Sequence, residues 1–218
     1  MTIGLIVANA LVWLWQTSNG VDKEVARYGY YPCAVEGPCH GVATHHQPLV
    51  ETVFTSMFMH GGWLHIIGNM VFLWIFGNNV EDALGKVRFL LWYLAGGIAA
   101  TAAQTFITLQ FGSSHDASIP NIGASGAIAA VLGAYLLLLP SARVLTAIFL
   151  GFFFFFQEIP ALVFLGIWFL FQLWQGGWGV LHPQAGGGVA FFAHIGGFLF
   201  GMLTVYVVAV RRPLQPNW

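Results

Sequence analysis

In NIGASGAIAAVLG, residues 121–133, one serine sits among small residues at the mouth of an apolar run. Serine in such a place is ordinarily a packing residue. Ser125 becomes a candidate nucleophile only if a base can take its proton, because a free hydroxyl is a poor nucleophile. The question is what other segments place at the same depth.

Composition sets the surroundings. The chain has 218 residues, 58% hydrophobic and 7% charged, whereas an ordinary soluble domain carries about 25% charged residues. There is too little polar surface to face water all round, so the expectation is a polytopic membrane protein. Backbone groups in hydrocarbon must pair within a helix or a closed barrel. The apolar runs do not alternate as barrel strands do, which predicts an all-α fold. The net charge of −1 gives no basic footprint for nucleic acid. No lysine- or arginine-bearing leader opens the chain, so no cleaved signal peptide is expected.

Six crossings are expected, at residues 3–15, 63–77, 87–109, 125–139, 159–174 and 189–210, in a single membrane domain with a long first loop over 16–60. Residues 144–156 would span only about 20 Å as a helix. That is short of a hydrocarbon core of about 30 Å, so the segment is expected to lie at the interface, with the phenylalanine run 152–156 facing lipid. Lys86, Arg88, Arg143, Arg211 and Arg212 follow crossings two, four and six. This places both termini in the cytoplasm and the first loop outside.

Crossings two, four and six then all enter from outside, and each carries polar residues near its start. These are His60, His65 and Asn69, then Ser125, then His194. Ionisable residues inside a membrane are costly and mark function by default. His194 is the candidate base for Ser125, since imidazole titrates near neutral pH. Small residues would let helices four and six approach closely. Ser125, Ala129 and Gly133 form one stripe, with Gly126, Ala130 and Ala134 beside it, and Gly197 and Gly201 follow His194. Donors for an oxyanion are available from the Ser125 N–H at a helix start. His65 and Asn69, four residues apart on one helical face, could add more. His60, about 140° away by helix phase, is expected to face elsewhere in a structural role. No carboxylate accompanies His194, so a dyad is expected. The soluble G-x-S-x-G elbow does not apply, because Ala127 stands where its second glycine would.

The combination His60-x4-His65-x3-Asn69, Gly123-x-Ser125-Gly126 and Ala193-His194-x-Gly196-Gly197-x3-Gly201 resembles the rhomboid intramembrane serine proteases. The resemblance spans nearly the whole chain, in the family's helix order. It implies a six-helix rhomboid-like bundle of the basic bacterial type. It further implies Ser125 as nucleophile, His194 as base, and His65 and Asn69 assisting at the oxyanion. GNNVEDALG, with Glu81 and Gly85, resembles the family's structural turn after helix two. The Trp-Arg pair that many members carry in the first loop is absent.

Cys33 and Cys39 lie in that loop with His40, His45 and His46. A disulfide, a zinc site and free thiols are all open readings. The spacing lacks the tight pairs usual for zinc, which favours the disulfide. The expected function is an endopeptidase acting in or beside transmembrane segments of membrane proteins in the inner membrane. Its site would open to the extracytoplasmic side, without metal or other cofactor. Its partners would be transmembrane substrates and membrane lipid. The alternatives are a non-proteolytic relative that binds or escorts membrane proteins, and a small transporter. The first usually lacks the serine or the histidine, and the second often shows matched halves that are absent here.

Overall fold

Apolar runs that must satisfy their own backbone groups do so as helices, and most of this chain follows that rule. The computed structural model describes residues 1–39, 48–151, 153–181 and 190–210. Its helices are α1 (Thr2–Asn19), α2 (Val21–Tyr28), α3 (Leu49–Thr55), α4 (Trp63–Leu84), α5 (Lys86–Phe111), α6 (Ser114–Ala117), α7 (Ser125–Leu138), α8 (Ala161–Leu181) and α9 (Phe191–Val208). Two strands, β1 (Arg143–Leu150) and β2 (Phe153–Pro160), lie between α7 and α8.

Among the described residues three helices, α5, α8 and α9, are long and apolar enough to cross a membrane. A fourth span is available if the segment Leu49–Phe58 and α4, bent by 82°, count as one. The helix α7 is apolar but has only 14 residues, about 21 Å at 1.5 Å per residue. Both α4 and α8 continue past their expected ends of 77 and 174. The start expected for the last crossing, residue 189, lies outside the described residues.

The expectation of an all-α chain is corrected at residues 143–160. These form an antiparallel hairpin, paired from Arg143↔Pro160 to Leu150↔Phe153. Directly after β1, Gly151 supplies the positive φ (62°) that a tight hairpin turn favours. The segment is rich in β-branched and aromatic residues, which suit strands. An apolar run without period does not distinguish the two structures, and helix geometry was the wrong ruler for it. Arg143 and Glu158 pair at the open end at 3.8 Å. Phe153–Phe156 are exposed, as expected of that run; residue 152 lies outside the described residues.

The helix α7 is the centre of the packing, with every residue from Gly126 to Tyr135 buried. Its small side chains bring α9 to backbone contact. A Cβ on Gly197 would strike the Gly126 carbonyl, one on Gly201 the Ala130 carbonyl, and one on Gly133 the Phe198 carbonyl. On its other side α5 closes in, where a Cβ on Gly96 would lie 2.7 Å from that of Ala130. Trp92 Nε1 donates to Thr204 Oγ1 (2.8 Å), tying α5 to α9. Glu81 lies inside α4, and its carboxylate accepts from Thr2 N (2.6 Å) and Thr2 Oγ1 (2.8 Å). It thereby satisfies donors that the first turn of α1 leaves unpaired. Gly85, at φ 79°, makes the sharp passage into α5.

Candidate active site

The approach to α7 is held from several sides. Tyr30 and Asn121 form a bridge, with Asn121 N donating to Tyr30 O (2.7 Å) and Tyr30 N to Asn121 O (3.2 Å). Gly123 N donates to Ser56 O at 2.9 Å. Gly123 has φ 113°, and a Cβ there would sit 2.6 Å from His65 Nε2. Both the backbone and the histidine therefore require glycine at this position. Ser125 is the first helical residue, so its N–H has no partner within the helix.

The start of α9 is held by α5. Gln104 Oε1 accepts from Phe192 N (3.1 Å) and Ala193 N (3.2 Å), while Gln104 Nε2 donates to Thr108 Oγ1 (3.0 Å). No side chain of α9's own N-cap residue, Ala190, does this. His194 therefore leaves a fixed first turn. Its Nε2 lies 2.8 Å from Ser125 Oγ, and its Nδ1 lies 2.8 Å from Gln172 Oε1 on α8. An amide oxygen only accepts, so Nδ1 carries the proton and Nε2 presents a lone pair to the serine hydroxyl. The Trp168 ring stands over the imidazole at 5.8 Å.

The remaining polar residues form a second chain of bonds. Gly61 N donates to His65 Nδ1 (3.3 Å), which leaves the neutral His65 ring with its proton on Nε2, towards Gly123. His60 Nδ1–H donates to Phe58 O (3.1 Å), and His60 Nε2 accepts from Asn69 Nδ2 (3.0 Å). Gln16 grips His60 through its backbone, accepting from His60 N (3.0 Å) and donating to His60 O (3.1 Å). The expectation that His60 faces elsewhere is thus corrected. His60 precedes α4, so helix phase does not apply to it, and its ring lies 5.0 Å from that of His65.

A cavity of about 860 Å³ lies over these groups, lined among others by His65, Asn69, Ser125, Trp168, Gln175 and His194. Its walls come from α4, α5, α7, α8 and α9. Phe164 of α8 meets Phe72 (6.3 Å) and Phe76 (6.2 Å) of α4. Gly126, Gly197 and Gly201 lie on the α7–α9 seam beneath the site.

Sequence reasoning missed Gln172, Trp168 and Gln104. A glutamine in the apolar run WFLFQLW was the available signal for the first. Cys33 and Cys39 are joined in a disulfide, which is the favoured one of the three open readings. Among the described residues no group of His, Cys, Asp and Glu could hold a metal; His40, His45 and His46 lie outside them.

The Rhomboid domain family matches residues 48–211. The chain is 29% identical over 227 residues to the mitochondrial presenilin-associated rhomboid-like protein of Mus musculus, covering 99% of this chain and 52% of that one. It is 29% identical over 173 residues to the mitochondrial Rhomboid protein 1 of Saccharomyces cerevisiae (75% of this chain, 44% of that one). It is 34% identical over 84 residues to the putative rhomboid protease YdcA of Bacillus subtilis (38% and 39%). The chain spans about half the length of the curated mammalian relatives it matches. With the family match running from the first loop through α9, this multi-pass membrane protein belongs to the rhomboid family.

Proposed function

We propose that the chain is an intramembrane serine endopeptidase that hydrolyses peptide bonds in or near transmembrane segments. The observation that carries this reading is the 2.8 Å contact between Ser125 Oγ and an imidazole nitrogen whose lone pair faces it. As a substrate carbonyl meets Ser125, Nε2 of His194 takes the hydroxyl proton and Oγ attacks the carbonyl carbon. The resulting oxyanion would be met by the Ser125 N–H, the His65 Nε2–H and the free hydrogen of the Asn69 amide. His194 then gives its proton to the leaving amine. A water, deprotonated by the same nitrogen, then attacks the acyl carbon; the bond to Oγ breaks, the carboxylic product leaves, and His194 returns the proton to Ser125 Oγ.

The substrates are single-span membrane proteins whose helices unwind readily. Gly or Pro within a span weakens the helix and frees the scissile carbonyl for attack. The proposed setting is a single six-crossing domain in an inner membrane, with termini in the cytoplasm and the site open to the other side. The Cys33–Cys39 disulfide suits an oxidising compartment on that side. The name of the Bacillus subtilis relative points to the same class of enzyme.

The test is cleavage of a transmembrane substrate by the purified chain in detergent, with Ser125→Ala and His194→Ala beside wild type. Both variants should lose cleavage, and Ser125→Ala should lose fluorophosphonate labelling. Cleavage that survives both changes would refute the reading.

A further inference from the structure

Only one face of α8 is buried. Its buried residues are Ala161, Leu165, Gln172 and Gly176, a stripe that repeats at helical spacing. The opposite faces carry exposed Leu162, Ile167, Leu170, Trp174 and Trp178. A glutamine in the middle of the one buried stripe of a lipid-facing helix is costly unless its amide is paired at both ends. Here both ends are used. Nε2 donates to the Trp168 carbonyl one turn earlier (3.4 Å), which turns Oε1 towards His194 Nδ1 at 2.8 Å. The same turn of α8 lays Trp168 over the imidazole face at 5.8 Å. Trp168 also packs on Phe198, one turn further along α9, at 5.9 Å.

We propose that Gln172 is the positioning residue for His194, fixing its tautomer and ring plane, so that the Ser125–His194 pair is set only while α8 lies against α9. This deepens the protease reading and rests on it. In a neutral imidazole the proton on one nitrogen decides which nitrogen is basic. Among the described residues, the hydrogen bonds of the His194 ring go to Gln172 at Nδ1 and to Ser125 at Nε2. The orienting group therefore sits on a different helix from the two groups it serves. That helix is the least buried of the three long apolar ones, 22% against 28% for α9 and 33% for α5. A transmembrane segment entering the cavity beside α8 would have to leave this contact intact for Ser125 to be deprotonated.

The experiment uses the full chain in detergent micelles and a fluorophosphonate as the probe. Labelling of Ser125 is followed against probe concentration for wild type, Gln172→Leu and Gln172→Glu. Gln172→Leu removes the acceptor, and its maximal labelling rate should fall about 10- to 100-fold, with the half-saturating concentration unchanged. Gln172→Glu keeps an acceptor oxygen and should restore most of the rate. Nitrogen-15 spectra of histidine-labelled chain should show one imidazole leave the Nδ1–H form in Gln172→Leu and keep it in Gln172→Glu. If Gln172→Leu does not fold, Gln172→Asn withdraws the oxygen by one methylene and serves the same comparison. Wild-type labelling rate and tautomer in the acceptor-free variant would overturn the inference while leaving the protease reading standing. Wild-type chain that does not label at Ser125 would overturn the reading and the inference together.

Discussion

The seam between α7 and α9 and the seam between α8 and α9 reach the same histidine by different means. Across the first, glycines press against backbone carbonyls, Gly197 on Gly126 and Gly201 on Ala130. Backbone has no rotamer to change, so this contact either forms or fails. Across the second, the contacts are side chains: one hydrogen bond from the imidazole to the Gln172 amide oxygen, and the rings of Trp168 and Phe169 on Phe198 at 5.9 and 4.4 Å. Side chains can adjust. Ser125 and His194, the proposed nucleophile and base, are joined by the inflexible seam, and Gln172, proposed to orient the base, comes across the adjustable one.

Three substitutions sharpen or break that contrast. The largest effect is expected at Gly201. In Gly201→Ala the new Cβ meets the Ala130 carbonyl, part of a helix buried on every side. Overpacking of this kind should cost about 3 kcal/mol, read as a lowered melting temperature in detergent together with loss of Ser125 labelling. A variant that melts like wild type would mean the α7–α9 seam yields after all. A middle effect is expected for Trp168→Leu, which strips aromatic contacts from His194 and Phe198. The loss should be about 1 kcal/mol, with labelling slowed rather than abolished. The smallest is Gly166→Ala, also on α8, where a Cβ would meet nothing within 4 Å. It should stabilise the chain by about 0.5 kcal/mol through the unfolded state and leave labelling untouched. Destabilisation there would show that the lipid-facing side of α8 is more constrained than its surroundings indicate.

How much of this can be read from the amino acids depends on how far each signal carries. Ser125 and His194 are readable as a pair because each is a polar residue near the same end of an apolar run. The glycines that unite their helices fall at the helical spacing of four. Gln172 is different. It is a single neutral residue in the middle of its run, and nothing in its neighbourhood says which helix it faces. Gln104 is silent for the same reason, since its partners are backbone N–H groups of α9 that have no sequence signature. His60 misleads because helix phase was extended to a residue before the helix begins. The hairpin at 143–160 escapes because Phe and Leu in an unbroken run satisfy a strand and a helix equally, and only Gly151 marks the turn. Periodicity thus reports faces of elements, while pairings between distant polar groups require the packed chain.

The shortness and seclusion of α7 carry one more implication. Membrane helices that touch acyl chains tilt, or deform the bilayer, to match its thickness. From Gly126 to Tyr135 this helix has no surface on which lipid could act. Thinner or thicker bilayers can reach it only through its neighbours, so the level at which Ser125 rests is a property of the protein's own scaffold. Membrane composition would then act on the site chiefly by how it cants the lipid-bathed α8.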